Sequence, residues 1–201
     1  MEIVSDNYIL KISNIVEYEN YIIKKYEHRF NFIDQIVENE ILFNEKLQKL
    51  GISYIPNLIA VEKNLNTTKL YFEKIEGRVL SSIKLPFLTM EDKIMIVCKI
   101  VNIVKLLHMN NIVHNDLRMC NIIISEKKDV YLLDFALSTN LNEKNLLNDI
   151  SALSNIISKM INIDCEIENN DINSYIKKIG EIKYELLYKR GASFKELWRV
   201  I

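Results

Sequence analysis

The run Leu107-His108-Met109-Asn110-Asn111-Ile112-Val113-His114-Asn115-Asp116-Leu117-Arg118-Met119-Cys120-Asn121-Ile122-Ile123-Ile124 contains H-x-D-L-x-x-x-N and passes directly into an apolar strand. A second strand, Val130-Tyr131-Leu132-Leu133, ends in Asp134-Phe135-Ala136-Leu137-Ser138. Residues of these types at this spacing suit phosphoryl transfer. One carboxylate orients a hydroxyl or a water, while an amide and a second carboxylate hold Mg²⁺ against nucleotide phosphates. Asp116 and Asn121 lie in one loop and can face one cleft. Asp134 returns to that cleft if residues 122–126 and 129–133 pair as a hairpin around Glu126-Lys127-Lys128-Asp129. An isolated H-x-D arises readily by chance as ordinary loop residues. Here loop, strand, hairpin and Asp-Phe follow in the order the chemistry needs.

Several elements must carry these groups. Residues 91–109 predict a long helix, apolar on most of its surface and hence buried, that delivers the chain to the loop. His108 then reads as a helix-end or packing residue, and His114 as an orienter of the loop. Upstream, Tyr8-Ile9-Leu10-Lys11-Ile12 and Tyr21-Ile22-Ile23-Lys24-Lys25 read as strands, with turns at Ser13-Asn14 and Glu19-Asn20. Lys24 ends an apolar strand, where a phosphate-holding lysine would stand, although a solvated strand end is the commoner fate of a lysine. Lys25 points to the opposite sheet face.

Residues 32–50 predict a helix with Ile33, Ile36, Val37, Ile41, Leu42, Leu47 and Leu50 on its apolar face, stopped by Gly51. One of Glu38, Glu40 and Glu45 would pair with Lys24. Beyond Pro56 come a strand at Leu58-Ile59-Ala60-Val61, a turn at Asn64-Leu65-Asn66-Thr67 and a strand from Lys69 to Ile75, ended by Glu76-Gly77. That end connects a small β-rich lobe to a helical one, and its backbone groups would meet an adenine edge. After a polar link, residues 145–162 predict a helix with Leu147, Ile150, Leu153, Ile156, Ile157 and Met160 on one face. Asp149 near its start would cap it, or brace the catalytic loop from beneath. Residues 163–171 read as a surface loop and 172–190 as a last helix in a locally basic tail.

The 201 residues suffice for one domain, or one domain split into two small lobes. With 49% hydrophobic residues there is material for a substantial core, and a net charge of −1 carries no bulk footprint for nucleic acid or membrane. Cys98, Cys120 and Cys165 show no metal-ligand spacing, and their odd number suits reduced thiols in a cytoplasmic setting. Met1 to Asp6 lacks the basic start and apolar core of a signal peptide. Lys99, Asn102 and Lys105 interrupt the longest apolar run, which excludes it as a membrane span. The first of only four glycines is Gly51, so the chain has no G-x-G-x-x-G loop and no Walker loop.

The ordered set resembles the protein-kinase-like superfamily, and within it the small atypical kinase or ATPase subunit of the KEOPS complex, which serves tRNA threonylcarbamoyladenosine modification. Ile22-Ile23-Lys24-Lys25-Tyr26 resembles that family's ATP-lysine strand, and Asn39-Glu40-Ile41-Leu42 its helix glutamate. Phe72-Glu73-Lys74-Ile75-Glu76-Gly77 resembles its hinge, His114-Asn115-Asp116-Leu117 with Asn121 its catalytic loop, and Asp134-Phe135-Ala136-Leu137-Ser138 its metal-binding turn. Asn148-Asp149-Ile150-Ser151-Ala152-Leu153 resembles its next helix.

The resemblance implies an α+β, minimal bilobal protein-kinase-like fold. Residues 1–76 would form the N-lobe, and residues 77–201 a mostly helical C-lobe with the basic tail. It implies Asp116 as catalytic base or water-orienting carboxylate, and Asn121 and Asp134 as Mg²⁺ ligands. Lys24, Glu40 and Glu73 would serve ATP binding along with these two, and His114 and Asp149 would give structural support. Arg118 departs from the small hydroxyl residue the family often has there and would add a phosphate contact. The implied cofactors are ATP and Mg²⁺. The implied partners are proteins of a tRNA-modification complex, with tRNA contact through the tail and no membrane.

Asp149 follows Asp134 by 15 positions without an A-P-E, too short for a peptide-receiving activation segment. Asn115 replaces the arginine that reads loop phosphorylation. The family carries glycine at the positions of Asn115 and Ala136. Alanine resists φ > 0, so Ala136 would bias the metal-binding turn or weaken nucleotide exchange. Two other readings are a kinase of a small molecule or lipopolysaccharide core, and a nucleotide-binding pseudokinase scaffold.

Overall fold

A computed structural model describes residues 2–5, 8–11 and 13–161, together with residues 177 and 181. The strands β1 (Glu2–Ser5) and β2 (Tyr8–Lys11) pair with each other as a separate hairpin. The main N-terminal sheet has four antiparallel strands in the order β3-β4-β6-β5. These are β3 (Ser13–Glu17), β4 (Tyr21–Glu27), β5 (Leu58–Lys63) and β6 (Thr67–Glu73). Ser13 and Asn14, expected as a turn, belong to β3, because pairing with Tyr26 and Lys25 of β4 outweighs their weak strand propensity. The turn at Glu19-Asn20 is where it was expected, closed by Tyr18 N donating to Tyr21 O at 2.9 Å. Strand β6 stops at Glu73 rather than Ile75, and the chain then crosses to the second lobe.

Helix α1 (Asn31–Lys49) lies against this sheet. Gly51 ends it at φ +68°, a left-handed position that suits glycine. Its buried side chains are Ile33, Val37, Glu40, Phe43, Asn44 and Leu47. Leu42 and Leu50, expected on the apolar face, are exposed. The stripe that sinks runs 33, 37, 40, 44, 47, and the steps of four and three put Glu40 inside it. Tyr26, Ile33, Val37 and Leu70 form the small N-terminal core.

The larger core belongs to α2 (Met90–Met109) and α3 (Glu143–Ile161), which pack on each other. Thr89 Oγ1 caps α2 by accepting from Asp92 N at 3.1 Å, and Glu91 and Asp92 suit the positive end of the helix dipole. Ile96, Val97, Ile100, Val104 and Leu107 are almost fully enclosed, each worth roughly 1.5–3 kcal/mol of burial. On α3, Ile150, Leu153, Ile156, Ile157 and Met160 face this core, whereas Leu147 is exposed.

Short antiparallel pairings complete this lobe. The expected hairpin is β9 (Ile122–Ile124) with β10 (Val130–Leu132), turning through Lys128 at φ 62°. The strand β7 (Arg78–Val79) adds to its other edge. Farther on, β11 (Thr139–Asn140) pairs with β8 (Ile112–Val113). These elements make a small α+β bilobal fold. Among the described residues no helix is long and apolar enough to cross a membrane. The expected surface loop 163–171 and the helix and basic tail of 172–190 lie outside the continuously described residues.

Gly77, between the two lobes, sits against the hairpin. A Cβ built there would stand 2.5 Å from Ile124 O and 2.7 Å from Ile123 Cγ2. The first of these atoms is backbone and cannot rotate away. Gly77→Ala should therefore destabilise the protein by about 1–3 kcal/mol, the usual range for overpacking. The check is a lower urea midpoint with an unchanged denaturant slope.

Candidate active site

The alternation of β4 sends Lys24 inward and Lys25 outward. Lys24 is 6% exposed, and its Nζ donates to Glu40 Oε1 at 2.8 Å and to Asp134 Oδ1 at 2.9 Å. Of the three candidate glutamates only Glu40 joins the site. Glu38 pairs with Lys63 at 2.5 Å, and Glu45 lies 3.9 Å from Lys49. The hydroxyl of Tyr26 closes on Glu40 Oε2 as well. Tyr26 escaped the sequence reading, although its place two residues after Lys24 on the same strand face was the available signal.

One buried cation thus serves two carboxylates. Burial alone would lower the pKa of Lys24, but Glu40, Tyr26 and Asp134 outweigh it and hold the ammonium well above its usual range. Burial pushes Asp134 upward too, yet the charge and hydrogen bond of Lys24 prevail and its carboxyl lies below the usual range. Glu40 goes the other way, because its complete burial exceeds what a shared lysine returns.

The catalytic loop hangs from Asp149, which is fully buried. Its Oδ2 accepts from His114 N at 2.8 Å and His108 Nε2 at 3.0 Å, and its Oδ1 accepts from Asn115 N at 2.8 Å. Of its two expected roles Asp149 takes the brace. The cap falls to Asn142, whose Oδ1 accepts from Asn145 N at 2.9 Å. His108 is a buried packing residue that also steadies Asp149. His114 donates from Nε2 to Leu133 O at 3.0 Å and accepts at Nδ1 from Asp116 N at 3.2 Å. Its ring lies 4.8 Å from that of Phe135. The imidazole therefore ties the loop to the residue before Asp134.

Asn121 Nδ2 donates to Asp116 O at 2.9 Å and to Asp116 Oδ2 at 2.8 Å. Its Oδ1 accepts from Cys120 Sγ at 3.7 Å, and the residue lines the cleft. Arg118 Nη2 reaches the same Asp116 Oδ2 at 2.8 Å. Both donors engage Oδ2, so Oδ1 is available to a hydroxyl or water. Leu133 N donates to Asn121 O at 2.8 Å and brings Asp134 beside the loop.

Ala136 does not take a positive φ. In the turn and the catalytic loop the left-handed positions are Asp134 at 65° and Asn115 at 61°, types that tolerate that region. Asn39 was also missed. Its Nδ2 donates to Ala136 O at 2.8 Å and to Ser138 O at 2.7 Å, linking α1 to the turn.

The cleft between the lobes is lined by Lys24, Glu40, Asn121 and Asp134, with Ile15, Ile22, Phe72, Ile123 and Leu133 as apolar walls. Glu73 lines it as well, but its carboxylate is held by Asn57 Nδ2 at 2.7 Å and its N–H by Asn57 O at 2.9 Å. Its side chain and amide are thereby engaged on the hinge. In place of a glycine loop, the β3–β4 hairpin forms one wall of the cleft, with Tyr18 stacked on Tyr21 at 4.7 Å. The oxygen donors of Asn121 and Asp134 suit a hard cation. Among the described residues no group of three His, Cys, Asp or Glu could hold a metal alone. A Mg²⁺ held here would complete its shell with phosphate oxygens and water, the usual arrangement for that ion.

A buried lysine–glutamate pair, a loop carboxylate beside an amide, and an acid on a left-handed turn together make a protein-kinase-like site. The Protein kinase domain model matches residues 8–161, and the chain belongs to that family. It is 30% identical over 126 residues to the probable serine/threonine-protein kinase mkcD of Dictyostelium discoideum, covering 60% of this chain and 19% of that protein. It is 30% identical over 117 residues to the probable serine/threonine-protein kinase KIN1 homolog of Encephalitozoon cuniculi, covering 57% and 20%. The chain thus spans about a fifth of the length of these relatives. Its fold matches WbdD crystallised with the kinase inhibitor LY294002 at a TM-score of 0.66 and 14% identity, covering 99% of this chain and 51% of WbdD. The bifunctional kinase-methyltransferase WbdD matches at 0.53 and 15%, covering 85% and 47%.

The lowered pKa of Asp134 has a direct consequence. Its folded value lies below its unfolded one, so its stabilising share is complete above about pH 4 and is lost as pH falls through the lowered value. Asp134→Asn should flatten the acid limb of stability relative to wild type. Urea midpoints measured between about pH 3 and 6 would show it, and parallel curves would contradict the assignment.

Proposed function

We propose that this chain is an ATP- and Mg²⁺-dependent phosphotransferase or ATPase of the atypical serine/threonine kinase type. In the finer reading it is a cytoplasmic subunit of a tRNA-modifying assembly like KEOPS, with protein partners and tRNA contact through its tail. The carrying observation is that Lys24, Glu40, Asn121 and Asp134 line one cleft, with Asp116 hydrogen-bonded to Asn121, while only residues 135–142 separate Asp134 from α3. This leaves no length for a segment on which an extended peptide could lie. An acceptor in this site is then a water, or a hydroxyl brought by a partner.

Each residue has a distinct task in this reading. Lys24, positioned by Glu40 and Tyr26, holds the nucleotide's phosphates. Asn121 and Asp134 would hold Mg²⁺, which would neutralise charge on the transferring group. Asp116 Oδ1 accepts the hydrogen bond of the attacking hydroxyl or water, and Arg118 and Asn121 fix the carboxylate through Oδ2. The apolar residues Ile22, Phe72 and Ile123 line the cleft and would flank the base.

A second reading, a kinase of a small molecule or lipopolysaccharide core, is favoured by one feature. Arg118 is half exposed beside Asp116 and would meet an anionic acceptor. The pseudokinase scaffold reading rests on Ala136 and on the missing glycines; of these, Ala136 carries no positive φ, which falls on Asp134.

Asp116→Ala should lower ATP turnover by several orders of magnitude while nucleotide binding persists, because the lost group acts in the transition state. Unchanged turnover would refute the chemistry. Affinity capture from the native cell, followed by an ATPase assay of the purified complex, tests the biology. Recovery of a threonylcarbamoyl-transferase subunit is the expected result, and rapid phosphorylation of a single metabolite instead would favour the second reading.

A further inference from the structure

Residues 136–139 are held by side-chain amides from two directions. Asn39 on α1 takes Ala136 O and Ser138 O, at 2.8 and 2.7 Å. Asn115 in the catalytic loop takes Leu137 O at 3.2 Å and Thr139 Oγ1 at 2.8 Å. A turn at 136–137, closed by Ser138 N donating to Phe135 O at 3.1 Å, sends the carbonyls of 136 and 138 toward α1 and that of 137 toward the loop. Asn145 Nδ2 adds a second donor to Thr139 Oγ1 at 2.9 Å, and Asn148 Nδ2 holds Asn115 Oδ1 at 3.2 Å. Every one of these donors is uncharged.

The two central amides adjoin the acidic groups of the site in sequence. Asn39 precedes Glu40, Asn115 precedes Asp116, and Ala136 follows Asp134 by two residues. We propose that Asn39 and Asn115 form an uncharged latch, a pair of positioning residues that fixes Asp134 against Glu40 and Asp116 and assembles the metal and phosphate site without any phosphorylated residue. This rests on the phosphotransferase reading above. A phosphate on Thr139 would displace two amide donors from its oxygen and meet no arginine at position 115, so modification there would open the latch rather than close it.

The test uses the whole chain and the variants Asn39→Leu, Asn39→Asp and Asn115→Ala. Leucine keeps the volume of Asn39 without its donors, and aspartate turns a carboxylate toward two carbonyl oxygens. One measurement is amide hydrogen exchange over 136–141, where Ser138 N donates to Phe135 O and β11 pairs with β8. The other is binding of a fluorescent ATP analogue with Mg²⁺ and with EDTA.

The latch predicts faster exchange in all three variants, with Asn39→Asp fastest. It also predicts that the gain in affinity supplied by Mg²⁺ falls by roughly tenfold, the worth of one to two hydrogen bonds, while Mg²⁺-free binding holds. Phosphatase treatment of the wild type should change neither readout. A loss of affinity equal with and without Mg²⁺ would mean a merely structural role and overturn the proposal, as would unchanged exchange. If the wild type bound no nucleotide, the phosphotransferase reading would fall, and exchange alone would decide the latch. Should Asn39→Leu fail to fold, Asn39→Ser retains one donor and should give intermediate exchange.

Discussion

A single ammonium group, Lys24 Nζ, holds three separate parts of the chain to one point. It brings a carboxylate from α1 and a carboxylate from the Asp-Phe-Ala turn within 3 Å of a strand in the N-terminal sheet. A buried charge is costly unless it is paired and hydrogen-bonded, so the lobes cannot part at this seam without exposing three mismatched groups. The imbalance of one cation against two anions is also the site's resource. It leaves the cleft short of positive charge, which a divalent cation entering with phosphates would supply.

The opposite wall depends on Asp149 in the same way. A fully buried carboxylate takes two backbone N–H groups of the catalytic loop and one imidazole. These bonds hold Asn115 in a left-handed conformation and set the direction in which Asp116 leaves the backbone. His114 then connects this anchor to Leu133 and Phe135, so Asp116 and Asp134 are placed by one continuous hydrogen-bonded and packed unit. Gly77 matters for a related reason. The hinge must pass so close to Ile124 that no side chain fits, and the chain goes directly on into β7 on the edge of the β9–β10 hairpin.

The catalytic loop, the hairpin and the Asp-Phe turn were legible because local spacing alone specifies them. A loop carboxylate and an amide separated by a short, fixed interval need no distant information to be recognised. The choice of Glu40 over Glu38 and Glu45 was nearly legible. The buried stripe 33, 37, 40, 44, 47 includes it, but counting only apolar residues drew Leu42 and Leu50 into the face instead. Ser13 and Asn14 misled for a different reason. Their local preference is for turns, and only strand β4 beside them makes them strand.

The amino-acid sequence by itself determined the candidate residues for the chemistry, the order of the elements and the shortness of the segment after Asp134. These depend on residue type and interval along the chain. Only the tertiary structure decided that Tyr26 completes the Lys24–Glu40 pair, that Asn39 and Asn115 clasp the segment beyond the turn, and that the positive φ falls on Asp134 rather than on its alanine. Those facts depend on which groups distant in sequence meet when two lobes close. A hydrogen bond between residues about a hundred positions apart leaves no periodic or local trace in the chain.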